Sequence, residues 1–168
     1  MRILTLVLIL ASMVAMEGQS SLPLDLQENL EQLFPTASSF SEKEGAPPHF
    51  KAYGTGRDII GYAFWTTELE PLERGYDGPI QMLVGIDLDA EITGLIVVRH
   101  HEPYGYFSVD TPEYSMQFLQ KSLRDRFRVG ADIDAVATAT ITMRSATRAV
   151  RNGARRMARR FLVPDRAK

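Results

Sequence analysis

Leu26, Leu30 and Leu33 recur at the spacing of one helical face and Pro35 closes the segment, so residues 26–34 are predicted to form a short amphipathic helix. Residues 38–48 are polar and turn-rich. The pattern then becomes that of strands: 50–53 and 58–66 flank Gly54-Thr55-Gly56, which predicts a hairpin. Residues 80–87 and 92–100 repeat the signal around Asp87-Leu88-Asp89-Ala90, whose two aspartates read as turn residues rather than metal ligands. Helical spacing returns over 114–127, with Met116, Leu119 and Leu123 on one face, and 129–134 is expected to rejoin the sheet edge. The final helix, with Thr142 as its cap, buries Val150, Ala154, Met157 and Phe161 and carries Arg144, Arg148, Arg151, Arg155 and Arg159 on another face. A helix, several antiparallel strands and two more helices make an α+β order, a twisted antiparallel sheet packed with helices in a single domain.

The first sixteen residues stand apart from this pattern. Met1-Arg2 is a short positive start to an almost unbroken apolar run over 3–16, which is shorter than the about 20 residues of a membrane-spanning helix. It reads as an export signal over 1–20, cleaved near Ser20, with an uncleaved anchor as the alternative. The remainder divides into an N-terminal helix and linker (21–47), the main domain (48–163) and a basic tail (164–168). The absence of cysteine excludes a lipid-modified N-terminal Cys, a disulfide framework, thiolate metal sites and Cys nucleophiles. Export without disulfides suits a bacterial periplasmic domain.

A formal net charge of −2 conceals an uneven distribution. From Arg144 onward the bases are Arg144, Arg148, Arg151, Arg155, Arg156, Arg159, Arg160, Arg166 and Lys168, against the single acid Asp165. Such a run is a solvated helix surface, or a face for an acidic partner, a phosphate or a membrane. Hydrolase chemistry has little to work with: the histidines are His49, His100 and His101, and neither a nucleophile elbow nor an H-E-x-x-H motif occurs. No catalytic residue and no metal ligand is assigned. Trp65 lies among strand residues and is read as core.

Three loops carry the candidate chemistry. Gly75-Tyr76-Asp77-Gly78-Pro79-Ile80 leads into a strand, His100-His101-Glu102-Pro103-Tyr104-Gly105 ends one, and 134–142 places three threonine hydroxyls among small residues ahead of the last helix. Backbone N–H groups and the macrodipole favour a phosphate at such a helix start, and Thr140 is the hydroxyl of interest.

In this order the motifs resemble the FMN-binding domain shared by subunits of the Rnf and sodium-pumping NADH:quinone oxidoreductases and by the periplasmic part of NosR. The Glu102-Pro103-Tyr104-Gly105 version looks closer to NosR. The resemblance spans roughly residues 48 to 162 and implies a single FMN-binding domain. In that family a threonine hydroxyl in a Ser/Thr-Gly-Ala-Thr-x-Ser/Thr pattern is esterified to the FMN phosphate by a magnesium-dependent flavin transferase that uses FAD. Mapped here, the acceptor is Thr140, preceded by Ala139 and followed by Thr142; Ala137 stands at the first hydroxyl position and Thr138 where the pattern has glycine, a place for positive φ. The resemblance further implies a flavin ring between Gly75, Tyr76, Gly78 and Pro79 on one side and His101 and Glu102 on the other; on electrostatic grounds the helix start and Arg144 are expected to neutralise a phosphodiester on Thr140. The function implied is an exported one-domain electron-transfer flavoprotein, not a stand-alone catalyst. Its partners would be the transferase and redox proteins, some membrane-bound, with no nucleic acid. The alternative is a flavin-free or noncovalently FMN-binding module that docks a partner through its Arg-rich helix.

Overall fold

The computed structural model describes residues 22–162; the expected export signal and basic tail lie outside them. Helix α1 (Leu24–Leu33) is followed by β1 (Ser39–Phe40), β2 (Phe50–Tyr53), β3 (Ile59–Trp65), the single turn α2 (Thr66–Leu69), β4 (Gln81–Asp87), β5 (Ile92–Arg99), α3 (Pro112–Met116) and α4 (Thr140–Phe161). The strands form one antiparallel sheet in the order β1-β2-β3-β4-β5. The fold is therefore α+β, with every sheet connection local. Strand β1 lies in the stretch read as turn-rich and brings Phe40 into the core.

Helices cover the sheet on both sides, so its strands bury side chains in both directions. Leu30, Leu33 and Phe34 pack with Phe40, Phe50, Ala52, Ala63 and Leu83 on one face. Phe64, Met82, Val84 and Ile86 point to the other, where α4 supplies Met143, Ala146, Val150, Ala154 and Met157. Alternation along β3 and β4 thus sorts neighbours such as Ala63 and Phe64 into opposite layers. Trp65 packs against the α1-side layer, as the core reading expects. At Gly153, α4 comes so close to the sheet that an added Cβ would lie 2.5 Å from the Phe64 ring.

The turn between β4 and β5 is built as the sequence suggests. Asp87 Oδ1 accepts the N–H groups of Asp89 (3.0 Å) and Glu91 (2.9 Å), and Ala90 takes φ 64°.

The helix expected over 114–127 is a correction. Only α3 is helical, started by Pro112 and capped by the Thr111 side chain, which accepts from the Tyr114 N–H at 3.2 Å. The chain leaves helical geometry at Gln120 (φ 59°) and runs beside β5: Gln120 N–H donates to Ile92 O (2.8 Å), Ile92 N–H to Lys121 O (3.0 Å) and Leu123 N–H to Ala90 O (2.9 Å). Long-range pairing to the sheet edge overrides local periodicity here. Tyr114, Phe118, Leu123 and Phe127 are therefore the buried residues, while Met116 and Leu119 face solvent. Burial raises the Tyr114 phenol far above its ordinary value, and this outweighs its bond to Thr147.

Residues 129–134 do not rejoin the sheet either; that contact belongs to 120–123. They close a turn in which Arg128 O accepts from Ala131, Asp132 and Ile133. Asp132 in turn accepts the N–H groups of Phe127 (2.9 Å) and Arg128 (2.6 Å).

Candidate functional site

Glu102 joins the three motif loops. Its carboxylate is 6 % exposed and accepts the Tyr76 N–H at Oε2 and the Asp77 N–H at Oε1, both at 2.9 Å. The Thr142 hydroxyl donates to Oε2 from the first turn of α4. Gly75 is required by this close approach, since a Cβ there would collide with the carboxylate. A buried carboxylate is costly unless its lone pairs are met, and three donors from two separate segments meet them here.

His100 shapes the loop that presents Glu102. Its Nδ1 accepts the Glu102 N–H at 2.9 Å, which leaves Nε2 as the protonated nitrogen that donates to Asp110 Oδ1 at 2.7 Å. A side chain at Gly105 would strike the imidazole, so the chain wraps closely around it.

The loop at 75–80 is fixed from both ends. Glu70 pairs with Arg156 and Glu73 with Arg148, each at 2.9 Å, tying its approach to α4. Gly75 N–H donates to Gly78 O at 2.7 Å, and Gly78 adopts φ 145°. At the exit the buried Thr66 hydroxyl donates to Ile80 O (3.1 Å) and accepts from Met82 N–H (3.0 Å).

Thr138 has φ 70°, the left-handed conformation that glycine adopts readily. Its hydroxyl donates to the Ala137 carbonyl. Ala139 is buried and forms the N-cap of α4 without a capping side chain, while Thr140, the first helical residue, is exposed. A helix start leaves its first N–H groups without intrahelical partners, and the N-cap residue Ala139 has no side chain to take their place. These features fit a phosphate on Thr140: the hydroxyl is accessible, the helix end is uncapped, and Arg144 stands exposed one turn further on.

The structure brings Gly75, the Tyr76 backbone, Glu102 and Thr142 into direct contact. Thr142 is not the cap of α4 but its third residue, buried, with its hydroxyl turned to Glu102. The Tyr76 ring is 71 % exposed, and Pro79 is exposed beside buried Gly78. His101 points to solvent and makes no hydrogen bond among the described residues; its neighbour His100 holds the structural role. His100, Asp77 and Asp110 were missed by the sequence reading. The signal for His100 was available in its position at a strand end two residues before the buried acid.

The Arg face of α4 is divided. Arg155 donates to the carbonyls of Leu123 (3.0 Å) and Asp125 (2.6 Å), so it pins the 123–125 segment. Arg148 and Arg156 hold the 70–75 segment. Arg144 and Arg159 are exposed and make no ion pair among the described residues.

Residues 75–155, the stretch from Gly75 of the first loop well into α4, match the model of the FMN-binding domain. Over this stretch the chain is similar to that family. It is similar to a subunit of the Na(+)-translocating ferredoxin:NAD(+) oxidoreductase complex of Acetobacterium woodii, with 29% identity over 55% of this chain and 47% of the relative. It is also similar to a subunit of the ion-translocating oxidoreductase complex of Yersinia pestis, with 36% identity over 65% of this chain and 55% of the relative. The chain thus spans about half the length of the curated relatives it matches.

Proposed function

We propose that this protein is an exported electron-transfer flavoprotein whose FMN is joined by a phosphoester to Thr140. The observation that carries the reading is local. Thr138, at the glycine position of the acceptor pattern, takes φ 70°, and two residues later Thr140 opens an uncapped helix with its side chain exposed. The backbone therefore has the conformation the pattern's glycine favours, although the residue is threonine.

Attachment by a flavin transferase balances as a simple exchange. The Thr140 oxygen displaces AMP from the flavin-side phosphorus of FAD, and the hydroxyl proton leaves with AMP. The resulting phosphodiester keeps one negative charge, which the first-turn N–H groups of α4 and the Arg144 guanidinium offset. The Glu102 bonds to both flanking segments keep the 75–80 loop beside this helix end. When bound, the flavin supplies the redox chemistry. The chain's task is to hold it, and a covalent tether keeps an exported carrier loaded without free FMN. By analogy with the two oxidoreductase-complex relatives, its electron donors and acceptors are components of a membrane-associated redox complex.

Intact-mass measurement on protein recovered from the periplasm of cells that express an active transferase tests this reading. The expected mass is that of the polypeptide plus FMN less one water, with peptide mapping to Thr140 and yellow colour surviving acid precipitation. Unmodified Thr140 in that material, or flavin on Thr138 or Thr142, overturns it. Absence of the flavoprotein from the periplasmic fraction overturns the export reading separately.

A further inference from the structure

Between α4 and the 127–129 turn lies a half-open groove of about 370 Å³, lined by Phe127, Arg128, Val129, Arg144, Thr147, Arg148 and Arg151. Four of its seven lining residues are arginines, and none is a carboxylate. Glu73 pairs with Arg148 at 2.9 Å, whereas Arg128 and Arg144 make no ion pair among the described residues. Thr140 is not among the lining residues.

We propose that this groove is a binding site for a small organic phosphate, a phosphomonoester dianion carried on a flat ring. Three properties lead to that class. Guanidinium groups present forked donors that match phosphate oxygens, and several of them around one concavity focus a positive potential inside it. Half-buried Val129, beside buried Phe127, adds apolar surface, which suits a ring rather than a bare inorganic ion. The volume lies within the roughly 300–1,000 Å³ of small-molecule pockets and is too confined for the broad, flat contact of a docked protein. The groove therefore adds a second phosphate-binding position beside the Thr140 attachment point, with Arg144 bordering both.

Titration calorimetry with AMP as the probe, at fixed ionic strength and with adenosine and inorganic phosphate in parallel, tests the site. AMP is expected to bind saturably, phosphate more weakly and adenosine without detectable heat. Arg128→Gln and Arg144→Gln, checked for unchanged thermal midpoints, should each weaken AMP by roughly tenfold, the loss of one charge-assisted contact. Glu73→Gln should tighten it several-fold by releasing the Arg148 guanidinium, a gain that misfolding cannot imitate. AMP binding that is absent, equal to that of adenosine, unchanged in both arginine variants, or fully displaced by polyglutamate at equal ionic strength overturns the proposal; the last result would identify an acidic protein surface as the occupant. Measurements on Thr140→Ala protein, in which no flavin phosphate can engage Arg144, keep this outcome separate from that of flavin attachment, since the groove is expected to bind AMP there as it does in flavin-free wild type.

Discussion

The Thr142 hydroxyl donates to the buried Glu102 carboxylate across forty residues of sequence, from inside the first turn of α4 to the loop after β5. The same carboxylate holds the N–H groups of Tyr76 and Asp77 at 2.9 Å. One acid thus sets the relative position of all three motif loops, and its neighbours are placed with it.

Glu102→Gln tests how much this junction stabilises the fold. Both carboxylate oxygens face N–H donors, so a glutamine must turn its own NH₂ toward one of them and lose that bond. Urea unfolding at pH 7 should show a loss of about 2 kcal/mol or more. Thr142→Val should lose about 1.5–3 kcal/mol and Thr142→Ser much less, because serine keeps the hydroxyl. A Glu102→Gln cost below about 0.5 kcal/mol would mean that the carboxylate is not what fastens the loops.

At Thr138 two opposing costs are known. A non-glycine residue in the left-handed region is disfavoured by about 1–2 kcal/mol, while glycine adds unfolded-chain entropy of about 0.5–1 kcal/mol. With φ at 70°, Thr138→Gly should therefore leave stability unchanged or raise it by up to about 1 kcal/mol. Thr138→Val, equally β-branched but without the hydroxyl that bonds the Ala137 carbonyl, should destabilise the loop. If Thr140 accepts the flavin, Thr138→Gly should also be modified faster at limiting transferase; equal rates would show that the threonine already presents the acceptor as well as glycine does.

The strands were legible because local chemistry dictates them, whereas the convergence of the three loops was implied only by the family resemblance. Alternation along 59–65 and 81–87 marks residues that face two layers, and the glycines at 75, 78 and 105 mark close approaches or unusual backbone. Elsewhere the deciding contact was distant in sequence. Residues 114–127 have helical spacing, yet the hydrogen bonds of Ile92 to Gln120 and Lys121 straighten the chain. The role of Arg148 depends on Glu73, seventy-five residues away, and nothing in the arginine spacing reveals that partner. His100 and His101 are adjacent, so only the backbone direction at the end of β5 decides which ring turns inward.

Acid stability should report on Asp132. Partial burial acts to raise its carboxyl pKa, but the N–H groups of Arg128 and Phe127, together with Lys121, outweigh that and hold it below the ordinary value. A depressed carboxylate pKa contributes stability that is fully present above the unfolded value of about 4 and is lost as pH falls through the lower folded value. Wild-type protein should therefore lose this contribution progressively below about pH 4. Asp132→Asn should be less stable at pH 7 yet show a shallower acid limb in urea titrations. Parallel acid limbs for the two proteins would remove Asp132 from the cause.

The arginines of α4 should separate into two kinds when replaced singly. Arg155 donates to the Leu123 and Asp125 carbonyls, at the end of the sheet-edge pairing of 120–123 and just beyond it. Hydrogen bonds from a charged donor contribute about 1.5–3 kcal/mol, so Arg155→Gln should lower stability by an amount in that range. Arg159 has an exposed side chain and no ion pair among the described residues, and Arg159→Gln should fall within about 0.5 kcal/mol of wild type. Arg148→Gln breaks an exposed guanidinium–carboxylate pair with Glu73 and should cost about 0–1 kcal/mol. Thermal unfolding in low and high salt distinguishes the contributions: the Arg148 effect should shrink with salt, while the Arg155 effect, which includes a partly buried bond to the Leu123 carbonyl, should persist. Equal, salt-sensitive effects at all three positions would mean that the helix carries one solvated basic face, and that Arg155 does not anchor the 123–125 segment.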